Sequence, residues 1–374
     1  MTTTHDTPAT DTATPPDRSD GLPLFRAAVS GLVSYRPQKP ALSPAGRSYA
    51  LAANETPFGT LPKVAEAIAE AAADINRYPD NAGQALVAEI AERFGQNPEG
   101  IMLGCGSVGV AQQLITAVAG PGDEVLYAWP SFEAYPILTR LAGATAVQVG
   151  LRDDVHDLAA MADRVTDRTR LIFVCNPNNP TGTVVGRAEL EEFLDRVPAG
   201  CLVVLDEAYH EYVRDPGTPD GLSLLSGRPG LVVLRTFSKA YGLAGLRIGY
   251  AVGDPRVIGT LRKAYLPYSA GSVAQAAAVA ALRSGEEVRR RTDIVTAERT
   301  RVTDALRKLG WRVPGSQANF LWLPLGERAA AFGAHCASAG ISVRAVPGAG
   351  VRVTLGLHAD NDAFLAAAEG FPPS

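Results

Sequence analysis

The 374-residue chain has no surplus of positive charge: 35 Lys and Arg stand against 39 Asp and Glu, a formal net charge of −4. That balance gives no electrostatic reason to expect a nucleic acid or an anionic membrane as partner. The Arg289-Arg290-Arg291 run does not change this. Acids interleave it within a helix predicted to reach Leu309, so it reads as a solvated face. Long apolar runs are missing too, and none approaches the length of a membrane-spanning helix. The start has no basic segment leading into an apolar one, so no secretory signal is expected. Only four cysteines occur, Cys105, Cys175, Cys201 and Cys336, widely spaced and without CxxC or metal-ligand spacing. Free thiols in a reducing cytoplasm, and no bound metal, are the expectation. No repeat of solenoid length is apparent.

What is present is the composition of an ordinary globule, 46% hydrophobic, long enough to bury a large core and divide into two domains. Residues 1 to 20, rich in Thr, Pro, Ala and Asp, are too polar to bury and are expected to form a disordered tail. From Leu61 onward, helical and strand signals alternate. Val64 to Ala73 and Ala85 to Phe94 have helix composition. Short apolar runs follow at Val125–Tyr127, Leu171–Cys175, Leu202–Leu205, Leu231–Leu234 and Ile248–Val252, as strands buried on both faces do. The expected class is α/β, a mostly parallel central sheet under helices in a large domain spanning 61–265. After Tyr268 come long helices and the strands Phe320–Leu323 and Val351–Leu355. Residues 266–374, joined by an arm at 21–60, are expected to build a smaller α+β domain.

Lys239 stands in Arg235-Thr236-Phe237-Ser238-Lys239-Ala240-Tyr241-Gly242, directly after an apolar strand. A lysine at a strand end, among small residues, loses hydration and offers a neutral amine, which a carbonyl cofactor such as pyridoxal 5'-phosphate needs to form an imine. Eight residues on, Arg247 offers a permanently charged fork suited to a phosphate. Gly104-Cys105-Gly106-Ser107-Val108-Gly109 follows Ile101–Leu103 and precedes a helical stretch. Such glycines let backbone N–H groups approach a phosphate, whether of a dinucleotide or of pyridoxal phosphate. A dinucleotide site wants an acid at the end of the next strand, about 20 residues on. Here Asp123 and Glu124 precede that strand, and its exit carries Trp129-Pro130-Ser131-Phe132. The acid is at the wrong end, which argues against NAD.

Phe132 or Trp129 would supply an aromatic face at a strand exit, where ligands of α/β sheets gather. Asn176-Pro177-Asn178-Asn179-Pro180-Thr181-Gly182 makes a rigid turn presenting Asn179 at the same edge. Asp206 ends the strand Leu202–Leu205. A buried carboxylate there is costly unless it meets a partner such as a protonated pyridine nitrogen. Tyr209, three residues on, would reach the ring's phenolic oxygen together with Asn179.

In this order and at successive strand ends, these motifs resemble those of the fold-type-I pyridoxal-phosphate enzymes, the aspartate-aminotransferase-like superfamily. Asn54-Glu55-Thr56-Pro57, Arg77-Tyr78-Pro79-Asp80, Asn176–Gly182, Asp206–Tyr209 and Thr236–Tyr250 resemble its histidinol-phosphate aminotransferase branch. Gly104–Val108, Trp129–Glu133 and Ser316–Gly326 are similar to the aromatic (phenylalanine) aminotransferases of actinobacteria in that branch. The likeness runs from about Gly21 to the end. It implies a Schiff base on Lys239, with Asp206 on the pyridine nitrogen and Asn179 and Tyr209 on the phenolic oxygen. Phe132 would stack on the ring. Ser107 and Val108 backbone groups, Ser238 and Arg247 would hold the phosphate, with Tyr78 reaching it from the other subunit of a homodimer. Arg352 would grip the substrate carboxylate, and Tyr35, Asn54, Asn319 and Arg344 would line the substrate side.

Two departures stand out. Val108 replaces an acidic residue common in relatives, and the stretch from Arg344 to Arg352 is shorter than in typical histidinol-phosphate enzymes. The implied reaction is transamination of an aromatic amino acid with a 2-oxo acid, most plausibly 2-oxoglutarate, with Lys239 as general base. Trp129 and Phe320 would offer apolar walls. The alternatives are histidinol phosphate as substrate, or a lyase, decarboxylase or racemase on the same cofactor.

Overall fold

The computed structural model describes residues 25–32, 41, 42, 46 and 48–373; the expected tail and Tyr35 lie outside them. The described strands are β1 Tyr49–Ala50, β2 Ile101–Cys105, β3 Glu124–Trp129, β4 Thr145–Gly150, β5 Thr169–Cys175 and β6 Leu202–Asp206. They continue with β7 Leu231–Thr236, β8 Ile248–Gly253, β9 Phe320–Leu323, β10 Ile341–Ser342, β11 Arg344–Val346 and β12 Gly350–Thr354. Seven form one sheet in the order β2-β8-β7-β6-β5-β3-β4. Every pairing in it is parallel except the two that β8 makes with β2 and β7. The sheet is thus the mostly parallel one that the apolar runs imply.

Strand alternation explains why these runs are apolar throughout. Val125, Tyr127, Leu171, Phe173 and Val204 pack on one face, with Leu114 and Leu138 of the helices Gly106–Val118 and Ala134–Ala142. Leu126, Ile172, Val174, Val203 and Leu205 pack on the other, with Met161 and Phe193 of the helices Leu158–Asp163 and Arg187–Arg196. Both faces are covered, so neither spares room for polar side chains. β4 escaped the sequence reading. It is an edge strand of Thr, Ala, Val and Gln in which only Val149 is buried, so it carries no apolar run.

The second antiparallel sheet, β11-β12-β9, aligns Arg344 with Arg352 and Arg352 with Trp322. β1 pairs in parallel with β10, so the segment before Leu61 is anchored to the far end of the chain. The Asn54 backbone N–H reinforces this by donating to Thr354 Oγ1 at 2.9 Å. The carboxyl ends of β5, β6 and β7 open onto one edge, where β2 also runs into its helix, and Arg344 and Arg352 come to that edge.

Candidate active site

At that edge lies a cavity of about 470 Å³, walled by Asn54, Ser107, Val108, Phe132, Asn179, Asp206, Tyr209, Ser238, Lys239, Arg247, Arg344 and Arg352, with Glu55, Glu133 and Cys175 among others. Twelve sequence-predicted residues therefore meet in one wall, drawn from segments far apart in the chain.

Lys239 is half-buried, and its Nζ donates to the Ala53 carbonyl at 3.1 Å. Burial pushes its amine down to about 7, helped by the charge of Arg352 and, less, of Arg247. Asp206 is 4% exposed and pushed up to about 6, chiefly by burial. Among the described residues its carboxylate accepts only from neutral donors, Tyr135 Oη at 2.7 Å and the Ala208 N–H at 3.2 Å. A carboxylate so desolvated and without a cation is incomplete on its own.

The Tyr209 hydroxyl accepts from Asn54 Nδ2 at 2.9 Å, which leaves its own O–H to donate. Asn179 Oδ1 accepts from Arg352 Nη1 at 2.6 Å, which leaves the amide N–H groups to donate. Arg352 also donates to the Ala52 carbonyl and lies 5.5 Å over the Phe320 ring. Arg344 and Glu133 form a two-pronged ion pair, Nη2–Oε2 at 2.6 Å and Nε–Oε1 at 3.3 Å.

The helix Gly106–Val118 starts at the cavity without a side-chain cap, so its first N–H groups face an open end. Gly106 has φ +72°, and a Cβ there would stand 2.5 Å from Arg247 Nη2. Only glycine admits both the backbone angle and the guanidinium. Arg247 Nη1 donates to the Ala244 carbonyl at 2.8 Å and reaches Ser238 Oγ at 3.4 Å. Ser238 in turn accepts from Thr236 Oγ1 at 3.0 Å. Helix amides, a serine hydroxyl and an arginine thus converge on one seat for an anion.

Three expectations come out differently. Asn319 is not in the wall: it is 1% exposed and donates to the Asn54 carbonyl at 3.1 Å, holding Asn54 from behind. Phe320 is likewise fully buried, edge-on to Tyr209 at 5.0 Å, and supports the wall without lining it. Trp129, partly buried, packs against the sheet's core, and Phe132 lines the cavity in its place. Tyr78, expected to serve the cavity of a second copy of the chain, is 82% exposed and stacked on Tyr268 at 4.6 Å, outside this cavity.

The sequence reading passed over Tyr135, which steadies Asp206, and Glu133, which neutralises Arg344. The short spacing of Phe132, Glu133 and Tyr135 at a strand exit was the available signal. A three-residue group elsewhere, Glu207, His210 and Asp220, brings ligand atoms within 4.8 Å of one another, but the Arg235 guanidinium already sits on Glu207 and Asp220.

The comparisons agree with this geometry. A family model described as aminotransferase class I and II matches residues 49–367. A protein of Thermobifida fusca named aromatic amino acid aminotransferase is 55% identical over 350 residues, 94% of this chain and 98% of the relative. One of the same name from Streptomyces coelicolor is 56% identical over 354 residues, 94% and 99% of the two chains. The histidinol-phosphate aminotransferase of Sinorhizobium meliloti, solved in complex with pyridoxal-5'-phosphate, superposes with a TM-score of 0.84 at 28% identity. The superposition covers 92% of this chain and 96% of that one. Matched along most of its length in sequence and in fold, the chain belongs to the class I and II aminotransferases.

Proposed function

We propose that this chain transaminates an aromatic, phenylalanine-like L-amino acid with pyridoxal 5'-phosphate held in the cavity and 2-oxoglutarate as amino acceptor, acting in the cytoplasm. One observation carries the cofactor assignment. Asp206 is a buried carboxylate without a cation among the described residues, in the same cavity as an amine pushed down to about 7. A protonated ring nitrogen is the cation Asp206 lacks, and an aldehyde is what a neutral, half-buried lysine is suited to capture.

The rest of the wall fits the same group. Ser107 and Val108 amides, Ser238 and Arg247 would take the phosphate, while Tyr209 and Asn179 would donate to the phenolic oxygen and Phe132 would cover the ring. When bound, the cofactor supplies an electron sink for charge developing at the amino acid's α-carbon.

The chain's own residues do the remainder. Lys239 Nζ, its amine pushed down to about 7 and so about half neutral at pH 7, takes the substrate α-proton as general base, held in reach by the Ala53 carbonyl. Arg352, steadied by Asn179 and the Ala52 carbonyl, exchanges those neutral acceptors for the substrate carboxylate. The aromatic reading is supported by the names of the relatives.

Single-turnover absorbance spectra test the assignment: phenylalanine is expected to convert the enzyme-bound cofactor to its amine form faster than histidinol phosphate does. Equal or reversed rates would favour histidinol phosphate, and loss of an amino acid carboxyl or racemisation without amine formation would favour a lyase, decarboxylase or racemase.

We further propose a homodimer in which Tyr78, exposed with Ile75 and Leu266, reaches the partner's cavity. Mixing inactive Tyr78→Ala and Lys239→Ala subunits is then expected to restore activity in the hybrid. No restoration would refute the exchange.

A further inference from the structure

Arg344 and Arg352 sit directly opposite each other on the antiparallel strands β11 and β12, so both side chains leave the same face. Like charges at such a pair, with Cβ atoms roughly 5 Å apart, repel unless each finds an acceptor. The two solve this differently. Arg352 is held by neutral groups, the Asn179 amide and the Ala52 carbonyl. Arg344 is held by a carboxylate, Glu133, and both members of that pair line the cavity. Glu133 is 36% exposed and therefore has water to turn into; Arg344 is 19% exposed and stays in the wall.

We propose that Glu133 is an internal counter-carboxylate that sets which substrates this cavity accepts. This rests on the transamination reading above, because such an enzyme must take an aromatic donor and a dicarboxylic acceptor in one cavity. With an aromatic substrate, Glu133 stays on Arg344. The charge next to the apolar ring is then matched, and the planar guanidinium presents a flat, satisfied face. With a dicarboxylate, the distal carboxylate replaces Glu133 on Arg344, and Glu133 turns to solvent. The exchange swaps one two-pronged pair for another, and a half-exposed pair is weak enough to be displaced by a ligand. Glu133 is thus a specificity-determining residue, and it acts on the two substrate classes in opposite directions.

The test uses the cofactor-loaded enzyme and Glu133→Gln. Glutarate, a dicarboxylate without an oxo group, is titrated calorimetrically. Its binding is expected to tighten by up to about fivefold, the worth of one partly exposed pair. The phenylalanine half-reaction is expected to show a KM raised by a similar factor with its rate at saturation kept, because Arg344 loses its carboxylate partner beside the ring. Arg344→Gln is expected to abolish the glutarate response while phenylalanine still reacts. Unchanged or weaker glutarate binding in Glu133→Gln would overturn the proposal, as would both ligands shifting in the same direction. Failure of the wild-type enzyme to react with phenylalanine would instead refute the underlying functional reading, and the glutarate titration would still judge Glu133.

Discussion

Asp206 and Glu207 are neighbours on one strand end, and both are almost fully buried, yet they live in opposite chemical states. Strand alternation sends them to opposite faces of the sheet. On the far face Glu207 is complete. Arg235 Nε and Nη2 donate to Oε2 at 2.9 and 2.7 Å, the Gly221 N–H donates to Oε1 at 2.7 Å, and Arg235 lies 5.3 Å over the Phe94 ring. On the cavity face Asp206 has a phenol and an amide, no cation among the described residues, and a raised pKa. The difference separates a carboxylate whose charge is matched within the described fold from one whose charge is not. Burial alone does not distinguish them; the partner list does.

The sharpest way to break that contrast is to remove the cavity's amine. Lys239→Ala is expected to cut transamination at least about a thousandfold with an unchanged circular dichroism spectrum, since a general base and the covalent anchor go together. Near-normal turnover would end the assignment. Asp206→Asn comes next. Activity should fall by about 10²–10³-fold, while the cofactor-free protein is at least as stable as wild type at pH 7.

The pH dependence of that stability has a definite sign. A carboxyl raised from 3.8 to about 6 in the fold favours the native state below pH 4, and the advantage is lost as pH rises through 6. Urea titrations of the cofactor-free pair should therefore show wild type losing ground to Asp206→Asn between pH 4 and 6, by about 3 kcal/mol at most. A flat difference would mean that Asp206 is solvated.

Glu207→Gln inverts the pattern. It leaves the buried Arg235 guanidinium with the partly exposed Asp220 in place of its buried carboxylate, and should cost about 3 kcal/mol of stability by urea unfolding, detectable without any cofactor. Gly106→Ala is expected to cost about 1–2 kcal/mol and to weaken cofactor retention in dialysis, because the new methyl displaces Arg247 and strains a positive φ. Smallest is Arg168→Ala at the opposite edge of the sheet. There Glu124 keeps Thr166 and Thr169 as donors and the exposed arginine contributes less, so unfolding should shift by under about 1 kcal/mol.

The central sheet was legible because its strands are buried on both faces, leaving unbroken apolar runs in the sequence. β4 was not, because an edge strand half in solvent carries no such run. Residues at strand exits, such as Asp206 and Lys239, announced themselves as polar groups ending apolar segments. Their supports did not. Tyr135 looks like an ordinary aromatic in a helix until the fold brings its hydroxyl to Asp206, 71 residues away. Asn319 was placed in the wall by the resemblance, Phe320 and Trp129 by their aromatic type. Yet an amide, a phenyl or an indole serves equally well one layer back, and sequence spacing carries no depth. The Glu133–Arg344 pair joins residues 211 apart and leaves no local trace.

The reversal of β8 has a bearing on the order of assembly. Wedged between the first and sixth members of the sheet in chain order, it clamps Gly249 so tightly against residues 106 and 107 that a methyl there would lie 2.5 Å from the Ser107 nitrogen. The anion seat therefore has no existence in a nascent chain until residue 253 has docked. Vitamin B6 phosphate would be a latecomer to a finished scaffold, captured after folding and in no position to template it.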